Sequence, residues 1–154
     1  MALFRWYGTA VLACILCVPL TAATAQPIGL AAGESTFTVG SSTVEGQATL
    51  FEGDSVRSMY LATRVHTRDG MKYVLGIDSE GVIYRDRLVL KSGSVDVANS
   101  GRPGHVDVGL IHVVADQPGS QATVYVTADN RASVMVRSGV VRSEERRVGK
   151  ECRL

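Results

Sequence analysis

Through most of this chain, apolar residues recur with a period of two. Met71, Tyr73, Leu75 and Ile77 fall on one side of an extended segment, with Lys72 on the other. Val106, Val108, Leu110, His112 and Val114 form one face of what reads as a single strand; His105 and Asp107 begin its opposite face. Ala122, Val124 and Val126 alternate with Thr123, Tyr125 and Thr127, while Leu88 with Leu90 and Val95 with Val97 repeat the pattern. Successive side chains of a strand point to opposite faces, so this alternation predicts half-buried strands over one core. No segment beyond residue 25 keeps the i, i+3, i+4, i+7 spacing long enough to predict a helix.

Turn signals punctuate these runs. They include Glu52-Gly53-Asp54, Arg68-Asp69-Gly70, Asp78-Ser79-Glu80-Gly81 and Lys91-Ser92-Gly93, then Asn99-Ser100-Gly101, Asp116-Gln117-Pro118-Gly119, Ala128-Asp129-Asn130 and Arg137-Ser138-Gly139. Most neighbours lie about 8–12 residues apart, a spacing typical of all-β sandwiches, barrels and rolls. The expected fold class is all-β.

The two ends break the pattern. Arg5 precedes an apolar run from Ala10 to Leu20, and Ala23-Thr24-Ala25 supplies a small-residue cleavage site before Gln26. That order predicts a secretory signal peptide over residues 1–25. A membrane span needs about 20 apolar residues, and this run is shorter and holds Pro19. A lipid anchor on Cys14 would lack the apolar segment before it. Residues 26–35 are rich in Ala, Gly and Pro and read as a flexible lead-in. At the other end, Arg142-Ser143-Glu144-Glu145-Arg146-Arg147-Val148-Gly149-Lys150-Glu151-Cys152 resembles an in-frame translation of a sequencing adapter. Residues 142–154 are therefore expected to be a non-native, disordered tail, leaving residues 36–141 as the folded domain.

Composition changes the picture only once the ends are set aside. The full chain has 16 Lys+Arg, 15 Asp+Glu and a net charge of +1. Without Arg5 and the five basic residues of the tail, and without Glu144, Glu145 and Glu151, the balance becomes −2. No basic field remains to attract nucleic acid. Cys14, Cys17 and Cys152 all lie in the two ends. The domain is thus expected to have no disulfide framework, no cysteine metal site and no thiol nucleophile.

Candidate chemistry is sparse. His66, His105 and His112 are the histidines; zinc needs three or four convergent ligands. Seven residues apart in one strand, His105 and His112 would point to opposite faces unless a bulge intervenes, so no metal site is expected. Asp78 and Glu80 fall short of the six to eight oxygens that calcium takes. Gly53-Asp54-Ser55-Val56 is similar to the serine motif of some secreted esterases. Ser55 would then be the nucleophile, His66 or His105 its base and Asp107 the orienting carboxylate. The downstream Asp-x-x-His block is missing, and a turn followed by a strand explains the same residues. Tyr60, Tyr73, Tyr84 and Tyr125, assigned to strands, would make a sugar-stacking or peptide-binding face only if exposed together. No catalytic, cofactor-binding or metal-binding residue is assigned, and no cofactor is expected.

A family resemblance narrows this. Residues 44–57, Val-Glu-Gly-Gln-Ala-Thr-Leu-Phe-Glu-Gly-Asp-Ser-Val-Arg, resemble the opening of the FecR-type domain, in which a strand ends in Gly-Asp before a small or β-branched residue and a Thr/Ser. Ser58 to His66 stands where that family has Thr-Gly-x-Ser-Ser-x-Val, although Met59-Tyr60-Leu61 replaces small residues. Arg68-Asp69-Gly70 matches its Asp-Gly turn and Leu75-Gly76-Ile77-Asp78-Ser79 its Leu-Gly-Pro-x-Ser, with Ile77 at the proline position. Ile83 to Gly93 is similar to its final strand and glycine turn, and the glycine repeats of Val106 to Val141 to its second half. The resemblance implies a compact, solenoid-like roll of short strands on the outside of the inner membrane, periplasmic or extracellular here. It implies a non-enzymatic binding or scaffold module that meets protein or envelope-polymer partners. In the family such domains serve regulators of sigma factors; only nine residues precede the apolar run here, too few for a sigma-binding segment. A role in envelope signalling and a small serine esterase stand as alternatives.

Overall fold

The computed structural model describes residues 25–127 and 131–145. Among these there are thirteen strands and no helix. They are β1 (Gly29–Val39), β2 (Ser42–Leu50), β3 (Asp54–Ser58), β4 (Thr63–Thr67), β5 (Lys72–Leu75), β6 (Glu80–Ile83), β7 (Leu88–Ser92), β8 (Ser94–Ala98), β9 (Gly104–Val108), β10 (Ile111–Ala115), β11 (Gln121–Val126), β12 (Ala132–Ser138) and β13 (Val141–Glu145). The all-β expectation holds. The signal-peptide assignment falls, apart from Ala25, outside the described residues. Among the described residues no helix is long and apolar enough to cross a membrane.

The architecture is a roll of bent layers. β1 pairs with β3 through its second half (Val39↔Val56) and with β4 through its first (Gly29↔Thr67). β6 and β5 add to β3 and β4, and β7 and β8 add to those. Each layer therefore runs along one half-sheet, turns a corner and continues along the other. One half-sheet is ordered β12-β11-β8-β5-β4 and the other β3-β6-β7-β9-β10-β13, joined by β1 into a nearly closed barrel. All pairs are antiparallel except β7 with β9.

The alternating residues fill the space between the half-sheets. Met71, Tyr73, Leu75, Leu88, Leu90, Val95 and Val97 are buried, as are Ala122 and Val124, whereas Ile77 is exposed at a corner. Tyr73 also ties the half-sheets together. Its hydroxyl donates to the His105 carbonyl (3.0 Å) and accepts from the His105 N–H (3.4 Å). Burial pushes the phenol pKa well up, so it stays protonated and able to donate.

Corners need polar partners for backbone that leaves the ladder. Three fully buried serines supply them. Ser58 donates to the Gly76 carbonyl and accepts from Ser79 N–H (3.2 Å); Ser79 Oγ accepts from Ser94 N–H (2.8 Å); Ser120 Oγ accepts from Val140 N–H (3.0 Å). The last two corners share one geometry. Gly93 (φ +78°) and Gly139 (φ +72°) sit where an added Cβ would lie 2.3 Å from Ser79 Oγ and 2.4 Å from Ser120 Oγ. Only glycine fits such a left-handed close approach.

Several expectations are corrected. Residues 29–35 are no flexible lead-in but the first half of β1, with Ile28 and Ala31 buried. The small residues there serve packing: a Cβ on Gly29 would lie 2.6 Å from the His66 carbonyl oxygen. Residues 142–145 are no free tail either, since β13 pairs with β10 from Ile111↔Glu145 to Ala115↔Val141. An unpaired strand edge accepts any extended segment whatever its side chains, and those of residues 142–145 are exposed. Tyr60 and Tyr84 lie in connections rather than strands.

Candidate functional site

The segment from Val106 to Val114 is not one strand. It is the β9–β10 hairpin, with Gly109 and Leu110 as its two-residue turn and Val108 opposite Ile111. A two-residue turn shifts the phase of alternation by one face. Val106 and Val108 point inward, but across the turn Val113 and Ala115 do, leaving Leu110 exposed and His112 on the side of His105 and Asp107. The histidines expected on opposite faces therefore meet. Their rings stack with centroids 5.4 Å apart, and His105 Nδ1 lies 3.3 Å from His112 Nε2.

Asp107 stands directly opposite His112 and makes a short contact with its Nδ1. Its other oxygen is 3.2 Å from Arg87 Nε, an ion pair without the alignment of a hydrogen bond. His112 thus bridges Asp107 through Nδ1 and His105 through Nε2, with the donor and acceptor of each contact set by the ring tautomers. Burial, then the neighbouring His112, holds the His105 pKa below the ordinary imidazole value; Asp86, Asp107 and Asp116 oppose that shift. The esterase triad does not assemble. Asp107 orients His112 rather than His105, His66 lies on β4, and the Ser55 hydroxyl donates to Glu80 (3.2 Å). Among the described residues no group of three or more metal-ligating side chains converges.

The better-formed binding feature is a groove of about 340 Å³ on the outer face of β4, β5, β8, β11 and β12. The ladder register aligns Arg64, Val74, Asp96 and Thr123 in one row across four strands, and His66, Lys72, Ala98 and Gln121 in the next. Val74 and Ala98 keep the floor low. Arg64, His66 and Lys72 stand on one side, Arg137 on the other.

Arg137 arrives through an irregularity. Gln121 pairs with Ser138 but Ala122 pairs with Val136, so Arg137 is the extra residue of a bulge, a device that re-aims a side chain. Its Nε donates to Thr123 Oγ1 (2.9 Å), and its Nη2 lies 3.4 Å from Asp96 Oδ1. Asp96 also accepts from the Thr123 hydroxyl. Arg64 is ion-paired with Glu34 (3.3 Å) at an exposed site, a bond worth little in water. Lys72 has no ion-pair partner among the described residues. The surplus of charge in the groove is positive. Sequence reasoning placed Lys72 on a solvent face but missed the groove. Its signal is the set of polar positions that share a register across non-adjacent strands, which needs the pairing order. These four tyrosines do not form a binding face, because Tyr73 is buried, Tyr84 and Tyr125 are only partly exposed and Tyr60 alone is largely exposed. No family model matches the chain, nor does any curated protein or solved structure.

Proposed function

We propose that this protein is an exported, non-enzymatic binding module of FecR type that holds an extended, carboxylate-bearing partner in the groove of β4, β5, β8 and β11. Export rests on the apolar run and small-residue site before Gln26, and the family on the order of motifs from Val44 to Gly93. One observation carries the binding reading: Arg64, Lys72 and Arg137 line a shallow trough whose carboxylate, Asp96, is already engaged by Thr123 and Arg137. Strands stand about 4.8 Å apart, so the trough crosses enough sheet to seat several units of a polymer. Its openness to water suits a salt-sensitive contact rather than a deep small-molecule pocket.

Titration calorimetry against oligoglutamate and oligogalacturonate separates a peptide from a glycan source of the carboxylates. Binding of either that weakens with added salt and is lost in Lys72→Glu supports the reading. No heat from either polymer at low salt overturns it.

A further inference from the structure

The roll ends at β2. This strand pairs with β1 along one edge only, and among the described residues nothing pairs with its other edge. Its inward-facing Val44 and Ala48 are only partly buried against the core. Nine residues of open ladder are a template for another strand. The usual defences are thin, since β2 has no proline or lysine and Glu45 is its one charge.

The shape of the edge selects its occupant. β2 is bent at Gly46, where φ is +81°. There β1 places Glu34, Ser35 and Thr36 opposite the single Glu45, between the pairs Gly33↔Gly46 and Phe37↔Val44. Gly46 is the midpoint of β2, with four residues on either side. A straight peptide does not follow an edge bent at its centre. An antiparallel copy of the same strand does, because a two-fold axis through Gly46 superposes the two bends.

We propose that two copies of this chain join end to end through β2, antiparallel about Gly46, into a two-fold dimer with a continuous ladder. The register follows. Glu45 faces Gln47 of the other copy, Val44 faces Ala48, Thr43 faces Thr49 and Ser42 faces Leu50. Paired residues have the same parity along the strand, so outward N–H and C=O groups meet outward groups and core-facing side chains meet core-facing ones. No like charges are opposed. The half-covered Val44 and Ala48 extend the core across the junction, and such a self-complementary interface closes at two copies.

Sedimentation velocity over a concentration series tests this with the chain and two variants of opposite sign. Gln47→Lys places an ammonium opposite Glu45 of the other copy and tightens the dimer; Gln47→Glu places a carboxylate there and loosens it. Each substitution acts twice by symmetry, so the dissociation constant moves by about tenfold either way. Circular dichroism checks that both variants stay folded, as solvent-facing changes on β2 allow. A monomer at every concentration, growth beyond the dimer, or a dimer indifferent to both substitutions overturns the proposal.

Discussion

The corners around Ser79 and the hairpin of β9 and β10 solve one problem in different ways. At the corner the chain leaves one half-sheet for the other, and a fully buried hydroxyl, which carries no charge, meets the freed N–H of Ser94. At the hairpin, a half-buried face holds Arg87, Asp107, His112 and His105 in contact. A satisfied hydroxyl holds its geometry at any moderate pH. A chain of ionisable groups holds only while each keeps its protonation state. The Ser79 corner is therefore held by a neutral group and the hairpin face by ionisable ones.

The largest effect expected is in the layered region. Leu75→Ala removes a fully buried side chain from between the half-sheets and should cost about 2–5 kcal/mol in urea unfolding. A loss under 1 kcal/mol would mean that the layers are looser than their burial shows.

Next come matched deletions in the two regions. Asp107→Ala leaves His112 without its carboxylate and Arg87 with Asp86 alone, and should cost about 2–3 kcal/mol at neutral pH. Ser79→Ala orphans the Ser94 N–H and should cost about 1–2 kcal/mol. The Ser79→Ala loss should be the same at pH 5 and pH 8. A pH-dependent loss there would erase the distinction between the regions.

A smaller effect is the titration of His105. Its pKa is lowered in the fold, so the unfolded chain takes up the proton first. The contribution of neutral His105 is full above the ordinary imidazole value of about 6.5 and declines as pH falls below it, towards the folded value. Melting temperatures from pH 8 to 5 should drop at the acid end, and His105→Gln should flatten part of that slope. A slope unchanged by the substitution would place the acid sensitivity elsewhere, in the carboxylates.

The smallest effect concerns β13. Its ladder with β10 contributes roughly 1 kcal/mol per hydrogen bond, against about 1–2 kcal/mol per residue for ordering exposed backbone. Ending the chain after Val141 should shift stability by no more than about 0.5 kcal/mol. A larger loss would make β13 an integral layer of the roll.

How much was legible depends on whether a chain segment is continuous. In β5, β7, β8 and β11 the period of two marked the core residues, because nothing interrupts those strands. In β9 and β10 the same pattern ran on through Gly109 and Leu110, and every position beyond the turn was assigned to the wrong face. Glycine content misled in the opposite direction at residues 29–35, where Gly29 and Gly33 mark close packing. The corner serines gave no signal at all: Ser58, Ser79 and Ser120 look like surface turn residues until their distant partners are known.

By itself, then, the sequence determined the all-β class and most of the buried faces, because side-chain period and local turn chemistry act over a few residues. The tertiary structure alone decided that His105, His112, Asp107 and Arg87 touch. It also decided that Lys72 shares a groove with Arg137, and that β2 is left at an edge. Each of these follows from which strands pair and in what register. That is chosen by the collective burial of one core across the whole chain, and no local segment encodes it.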